Sequence, residues 1–154
     1  MANGVFNVSK GRGNEFIERV EQDDPTGCEI VIMALKVAEA DATLNDYDTF
    51  AALLAGSNTE ADFTNYARKT LTAASVSRSV DDSGNVQTSA IVDQTFSSAG
   101  GASNNNLVKI VIGYDYLGTG VDANIVPISH HDYVATTDGN DLLVDFGASF
   151  YSAS

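Results

Sequence analysis

Cys28-Glu29-Ile30-Val31-Ile32-Met33-Ala34-Leu35-Lys36-Val37 is a nearly continuous apolar run, rich in β-branched residues and set between a Gly-containing turn and a polar stretch. A strand exposed on one face alternates apolar and polar residues, whereas this pattern suits a strand buried on both faces, the centre of a sheet. Leu107-Val108-Lys109-Ile110-Val111-Ile112-Gly113-Tyr114-Asp115-Tyr116 is the second such run. Around these two, shorter β-like pieces recur at close spacing. Tyr66 to Thr72 alternates, Val76 to Val80 and Val86 to Val92 flank the Asp81 to Asn85 turn as a hairpin, and Gln94 to Phe96 follows. Asn124 to Ser129, Asp132 to Ala135 and Leu142 to Phe146 complete the set. Short strands of this number and spacing imply a mainly β chain, an antiparallel β-sandwich or a Greek-key or jelly-roll-like barrel.

Two short helices are expected beside the strands. Phe16, Ile17 and Val20 share one helical face in Asn14 to Glu21, with Asn14 as cap and Asp23-Asp24-Pro25 as stop. Asp48 to Gly56 is the second, with Asp48 as N-cap and Gly56 ending it in the left-handed conformation. A helix of two or three turns is marginal alone, so Phe50, Leu53 and Leu54 must dock on the sheet. No internal repeat or linker divides the chain, so residues 1–9 read as an extended N-terminal arm and 10–154 as a single β-rich domain.

The charge excludes more than it identifies. Eight Lys+Arg against 21 Asp+Glu give a net charge of −13 over 154 residues, with no basic stripe to displace counterions from a phosphate backbone, so nucleic acid is not an expected partner. The longest apolar run is too short to cross a bilayer, and Met1 to Lys10 lacks the pattern of a secretory signal, which places synthesis in a cytoplasm. Cys28 is the only cysteine, so no internal disulfide forms. The acid is mostly Asp in turn-like contexts, as in Asp81-Asp82-Ser83-Gly84-Asn85 and Asp138-Gly139-Asn140-Asp141, which places it on loops.

Catalytic signals are sparse. Ser129-His130-His131-Asp132 holds both histidines, but neighbours on a strand point to opposite faces and cannot jointly grip one metal unless a turn intervenes. There is no G-x-S-x-G elbow and no Gly-Lys-Ser/Thr, and Gly11-Arg12-Gly13 lacks the third glycine and preceding strand of a dinucleotide cradle. No cofactor is expected; calcium or magnesium on the acidic turns rests on loop acidity alone, since neither turn fits the twelve-residue pattern of a helix-loop-helix site. Glu15, Glu18 and Glu21 form a polar helix face, with Arg19 one turn after Glu15. The adjacent pair Arg68-Lys69 reads either as an edge strand blunted by charge or as half of an intersubunit ion pair.

Asp41-Ala42-Thr43-Leu44-Asn45-Asp46-Tyr47-Asp48-Thr49-Phe50 through Gly56, continued by Glu60-Ala61-Asp62-Phe63-Thr64-Asn65-Tyr66-Ala67-Arg68-Lys69-Thr70-Leu71, resembles virion structural proteins of tailed bacteriophages. The likeness continues through the Val-Asp-Asp hairpin, Asp93-Gln94-Thr95-Phe96, Asn105-Asn106-Leu107-Val108-Lys109 and Ile125-Val126-Pro127-Ile128-Ser129-His130-His131-Asp132, from about Lys10 to Tyr151. One stretch departs from it: Tyr114-Asp115-Tyr116-Leu117-Gly118-Thr119-Gly120 lacks the proline of the family's Tyr-Asp-Pro turn. The resemblance implies a non-enzymatic particle component with no catalytic or cofactor residues. Combined with the acidity, it points to a head decoration, or cement, protein on the capsid surface of the virion, a homo-oligomer whose partner is the major capsid protein. A tail-fibre or receptor-binding module and a head–tail joining protein are the alternatives. The interface residues expected on this reading are Phe6 and Val8 in the arm, Tyr66 and Arg68 on an edge strand, and Phe146, Phe150 and Tyr151 near the C-terminus.

Overall fold

A computed structural model describes residues 3–147 and 150–153. In chain order the elements are β1 (Asn3–Val5), α1 (Gly13–Gln22), β2 (Glu29–Val37), α2 (Asp41–Leu44) and α3 (Phe50–Ala55). There follow β3 (Thr59–Glu60), β4 (Lys69–Leu71), β5 (Val76–Asp81), β6 (Val86–Ile91) and β7 (Gln94–Phe96). The chain closes with β8 (Asn106–Asp115), β9 (Ile125–Thr136), β10 (Leu142–Val144) and β11 (Tyr151–Ala153). It is mainly β, its sheets are antiparallel, and its α-helices are short.

The two apolar runs are the paired centre of a six-stranded sheet, ordered β1-β9-β8-β2-β3 with β4 also on β2. Seven residue pairs, from Glu29 opposite Asp115 to Leu35 opposite Lys109, lock β2 to β8. Burial on both faces follows from the pleat. Ile30, Ile32 and Ala34 enter one core cluster, and Val31, Met33 and Leu35 enter another. The larger cluster lies under α1, which contributes Phe16, Ile17 and Val20, and under β5, β6, β7 and β10 through Val76, Ile91, Phe96 and Val144. The smaller lies under α2 and α3, which contribute Leu44, Phe50 and Leu53, with Phe6 from the N-terminal segment.

Several local expectations change. The segment before residue 10 is not a free arm over its described part: Asn3–Val5 pairs with Ser129–His131 of the same chain, and Phe6 is completely buried. Thr49, not Asp48, caps α3, its hydroxyl accepting from the Ala52 N–H at 3.1 Å, and Gly56 leaves the helix in extended backbone (φ −76°). Asn14 does not cap α1 either, since Arg12 holds that position and the Asn14 amide oxygen accepts from the Ser89 hydroxyl. The two pieces expected at Asn124 to Ser129 and Asp132 to Ala135 are one strand, β9, kept continuous by bulges: two of its residues, Tyr133 and Val134, stand opposite the single residue Val108. The hairpin over Asp81 to Asn85 and the short strand Gln94–Phe96 form where expected.

Candidate functional site

The residues expected as one interface are spread over three places. Phe6 packs edge-on against His130 at 5.3 Å inside the smaller cluster, so it offers no surface to a partner, and Val8 packs half-buried beside it. Tyr66 and Arg68 meet at Glu60. The Tyr66 hydroxyl donates to the Glu60 carboxylate at 2.8 Å and accepts from the Ala34 N–H, while the Arg68 guanidinium grips both Glu60 oxygens and also donates to Asp122. Arg68 is therefore half of an intramolecular ion-pair network. The Glu60 bond, with Asp122 adding to it, holds its guanidinium protonated, and the ring of Phe50 lies below it at 5.7 Å. Phe146 and Phe150 touch at right angles, 6.2 Å apart, and lean on the larger core. The side chain of Tyr151 lies outside the described residues.

The acidic turns spend their carboxylates on backbone N–H groups, those of Asp81 and Asp138 within their own turns and that of Asp141 on a neighbouring loop. Asp81 accepts from the N–H groups of Ser83 and Gly84, Asp138 from that of Asn140, and Asp141 from that of Ser98. Among the described residues no three His, Cys, Asp or Glu side chains gather as a metal site. The histidines lie on opposite faces of β9. His131 pairs with the Ser129 hydroxyl at 3.0 Å beside a pocket of about 180 Å³ lined by Val5, Ile128 and Phe150. His130 faces α2, bonded to Asn45 at 2.9 Å, near a buried Lys109 that is held by Asp41 and Asp132. Burial pushes both imidazoles below their ordinary pKa, so each is neutral at pH 7.

A surface that sequence reasoning missed lies where β8 runs out. The carboxylate of Asp115 is fully buried and accepts from the N–H groups of Leu117, Gly118 and Gly120, which folds Tyr116 to Val121 into a compact loop. Gly118 (φ +59°) presses so closely on the Gly27 carbonyl that a Cβ there would sit 1.9 Å from it. The loop presents Tyr116, Leu117 and Val121 to solvent, each about 40 to 50% exposed. Beside it an open groove of about 300 Å³ is lined by Arg12, Phe16, Arg19, Pro25, Tyr114, Tyr116 and Val126. Phe16 stacks on Tyr114 at 4.8 Å, and the Arg12 guanidinium lies over the Phe16 ring at 4.7 Å. Glu15 is shared by both arginines, 3.1 Å from Arg12 Nε and 3.0 Å from Arg19 Nε. The signal for this surface was present as two separated fragments, an Asp followed by glycines at i+3 and i+5 and a Glu flanked by arginines at i−3 and i+4, with nothing local to say they meet.

No family model matches the sequence, no curated protein matches it, and no solved structure matches its fold. Among the described residues no helix is long and apolar enough to cross a membrane.

Proposed function

We propose that the chain is a non-enzymatic structural protein of a tailed-phage particle, a head decoration protein that attaches to the outer face of the major capsid lattice. The observation that carries this reading is the apolar loop of Tyr116, Leu117 and Val121 standing beside an arginine-lined groove on a chain of net charge −13. Exposed aromatic and aliphatic side chains with adjacent arginine are the composition of a protein-binding surface. The resemblance of Asp41 to Leu71 and of Ile125 to Asp132 to virion proteins supports the particle as the setting. Tyr66 and Arg68 are both engaged within the chain, at Glu60.

Mixing the purified chain with undecorated capsids and weighing what co-sediments tests the reading directly. Saturable binding in a fixed ratio to the shell protein is expected, and it should weaken when Leu117 and Val121 are both changed to Ser. Absence of co-sedimentation, with a low copy number in whole virions, would move the chain to the tail or neck.

A further inference from the structure

We infer that His130 is an acid-operated latch: a proton taken up on its Nδ1 loosens α2 and releases the N-terminal segment, residues 3–7, from the edge of β9. The device does not depend on what the chain attaches to.

The ring of His130 is completely buried. Its Nε2 lies 2.9 Å from the side-chain oxygen of Asn45, the residue that ends α2. An amide oxygen only accepts, so Nε2 carries the hydrogen and Nδ1 is a bare lone pair. Among the described residues that nitrogen has no hydrogen-bond partner. Asp41 Oδ1 is 3.9 Å from it, beyond hydrogen-bond reach, and already holds the Lys109 ammonium at 2.8 Å. The charged groups around the ring are Asp41 on α2, Lys109 on β8 and Asp132 on β9; the N-terminal segment lays only Gly4 and Phe6 against it, which carry none. A proton arriving on Nδ1 therefore makes a buried imidazolium beside a buried ammonium, with no acceptor in reach. The acceptor must come from a shift of Asp41, the first residue of the four-residue α2, or from water, and both open the same seam.

That seam holds the N-terminal segment. Asn45 bonds His130 with its side chain and accepts from the Asn7 N–H with its backbone carbonyl at 2.8 Å, and Asp46 accepts from the Asn7 side-chain amide at 2.6 Å. Gly4 lies so close to the ring that a Cβ there would sit 2.2 Å from Nε2, and Phe6 meets the ring edge-on at 5.3 Å. The rest of the hold is three residue pairs with Ser129–His131 and the Phe6 N–H on the Ile128 carbonyl. A three-residue strand at a sheet edge opens more readily than the β2–β8 centre, which seven pairs lock. Its release leaves Ser129–His131 as an open edge, able to pair with an added strand.

Burial holds the pKa of His130 in the closed state below the ordinary value of about 6.5, so opening takes up a proton and is favoured as pH falls. A histidine that regains that value on opening raises the open population about tenfold at pH 5.5 relative to neutral pH. The test is amide hydrogen exchange on the whole chain, followed by NMR from pH 7.5 to pH 5.5 and corrected for the intrinsic rate at each pH. Protection of the Phe6 and Asn7 amides should fall about tenfold, with its onset near pH 6.5, while Ile32 and Ile112 keep theirs. His130→Gln should abolish the fall, and His131→Gln should leave it in place. Imidazole nitrogen shifts of the unaltered chain at pH 7.5 should report the Nε2–H tautomer for His130. Should His130→Gln fail to fold, the onset, the confinement to Phe6 and Asn7, the tautomer and the His131→Gln control still decide, since opening driven by carboxylates begins well below pH 6. Protection that does not change with pH, equal loss at Ile32 and Ile112, a fall that persists in His130→Gln or vanishes in His131→Gln, or the Nδ1–H tautomer each overturns the latch.

Discussion

The two faces of the central sheet are built from the same strands by different rules. On the broad face, α1 and the strands β5, β6, β7 and β10 cover Ile30, Ile32, Ile110 and Ile112 with apolar groups. The narrow face, under α2 and α3, carries a comparable apolar floor of Val31, Met33 and Val111, yet beside it lies a buried ammonium, Lys109, 8% exposed and held by two carboxylates. Burial alone would depress the Lys109 pKa, but the bonds to Asp132 and Asp41 outweigh it, so the charge is retained. The broad face is held by volume; the narrow face is held by volume and by one neutralised charge.

Breaking the broad face should cost most. Phe96 is 1% exposed, stacks on Tyr66 at 5.8 Å and meets Phe63 edge-on at 5.9 Å, tying β7 and its partner β10 to the main sheet. Phe96→Ala should lose about 3–5 kcal/mol in denaturant unfolding, the cost of a large cavity. On the narrow face the order of damage depends on which charge goes. Asp41→Asn with Asp132→Asn leaves a buried cation with no anion and should cost about 2–3 kcal/mol, discounted because these carboxylates are 41% and 34% exposed. Lys109→Met keeps the volume and leaves two carboxylates that water can reach, so it should cost less than the double change. A larger loss for Lys109→Met would mean that the lysine serves the fold through packing and not through its charge.

This contrast also marks what could be read from the sequence. The central strands were legible because nearly continuous apolar runs such as Ile30 to Leu35 have few other uses in a chain this short. Lys109 looked like an interruption, since its anions come from α2 and from β9, 68 and 23 positions away in sequence, and only the fold brings them together. The surroundings of the expected interface residues were hidden for a related reason. Phe6 and Arg68 have the composition of anchors, but composition does not tell an aromatic facing its own core from one facing a partner, or a guanidinium paired at home from one paired abroad. The groove was invisible for want of any local pattern joining Arg12 and Arg19 to Tyr114 and Tyr116.

The histidines sharpen the comparison by pH. His130 is completely buried on the narrow face; its pKa is lowered by burial first and by the Lys109 ammonium next, against the opposing pull of Asp41 and Asp132. His131, on the broad side, is lowered by burial and then by His130 and Lys109. A folded pKa below the unfolded value of about 6.5 means the unfolded chain binds more protons in acid. The stability tied to neutral imidazole is therefore complete above pH 6.5 and declines as pH falls through the folded values. Urea midpoints measured from pH 7.5 down to pH 5 should fall, and His130→Gln with His131→Gln should flatten that slope even if the double variant is less stable throughout. An unchanged slope would assign the acid sensitivity to carboxylates.

The smallest effect separates two neighbouring residues at the start of α3, the helix that lays Phe50 and Leu53 on the narrow face. Thr49 has extended backbone and an Oγ that accepts from the Ala52 N–H, one of the donors a helix cannot satisfy internally. Asp48, one position earlier, would add charge near the helix start but makes no such bond. Thr49→Ala should therefore cost about 1 kcal/mol, and Asp48→Ala should fall within about 0.5 kcal/mol of the parent. Six residues form too short a helix to stand alone, so loss of the cap transmits to the floor it covers. Hydrogen exchange at Leu53 and at Val111 should then rise together in Thr49→Ala while exchange at Ile17 and Val20, in α1, stays as it was. Equal acceleration on both faces would mean that the sheet unfolds as one unit and that the two coverings differ in composition but not in local stability.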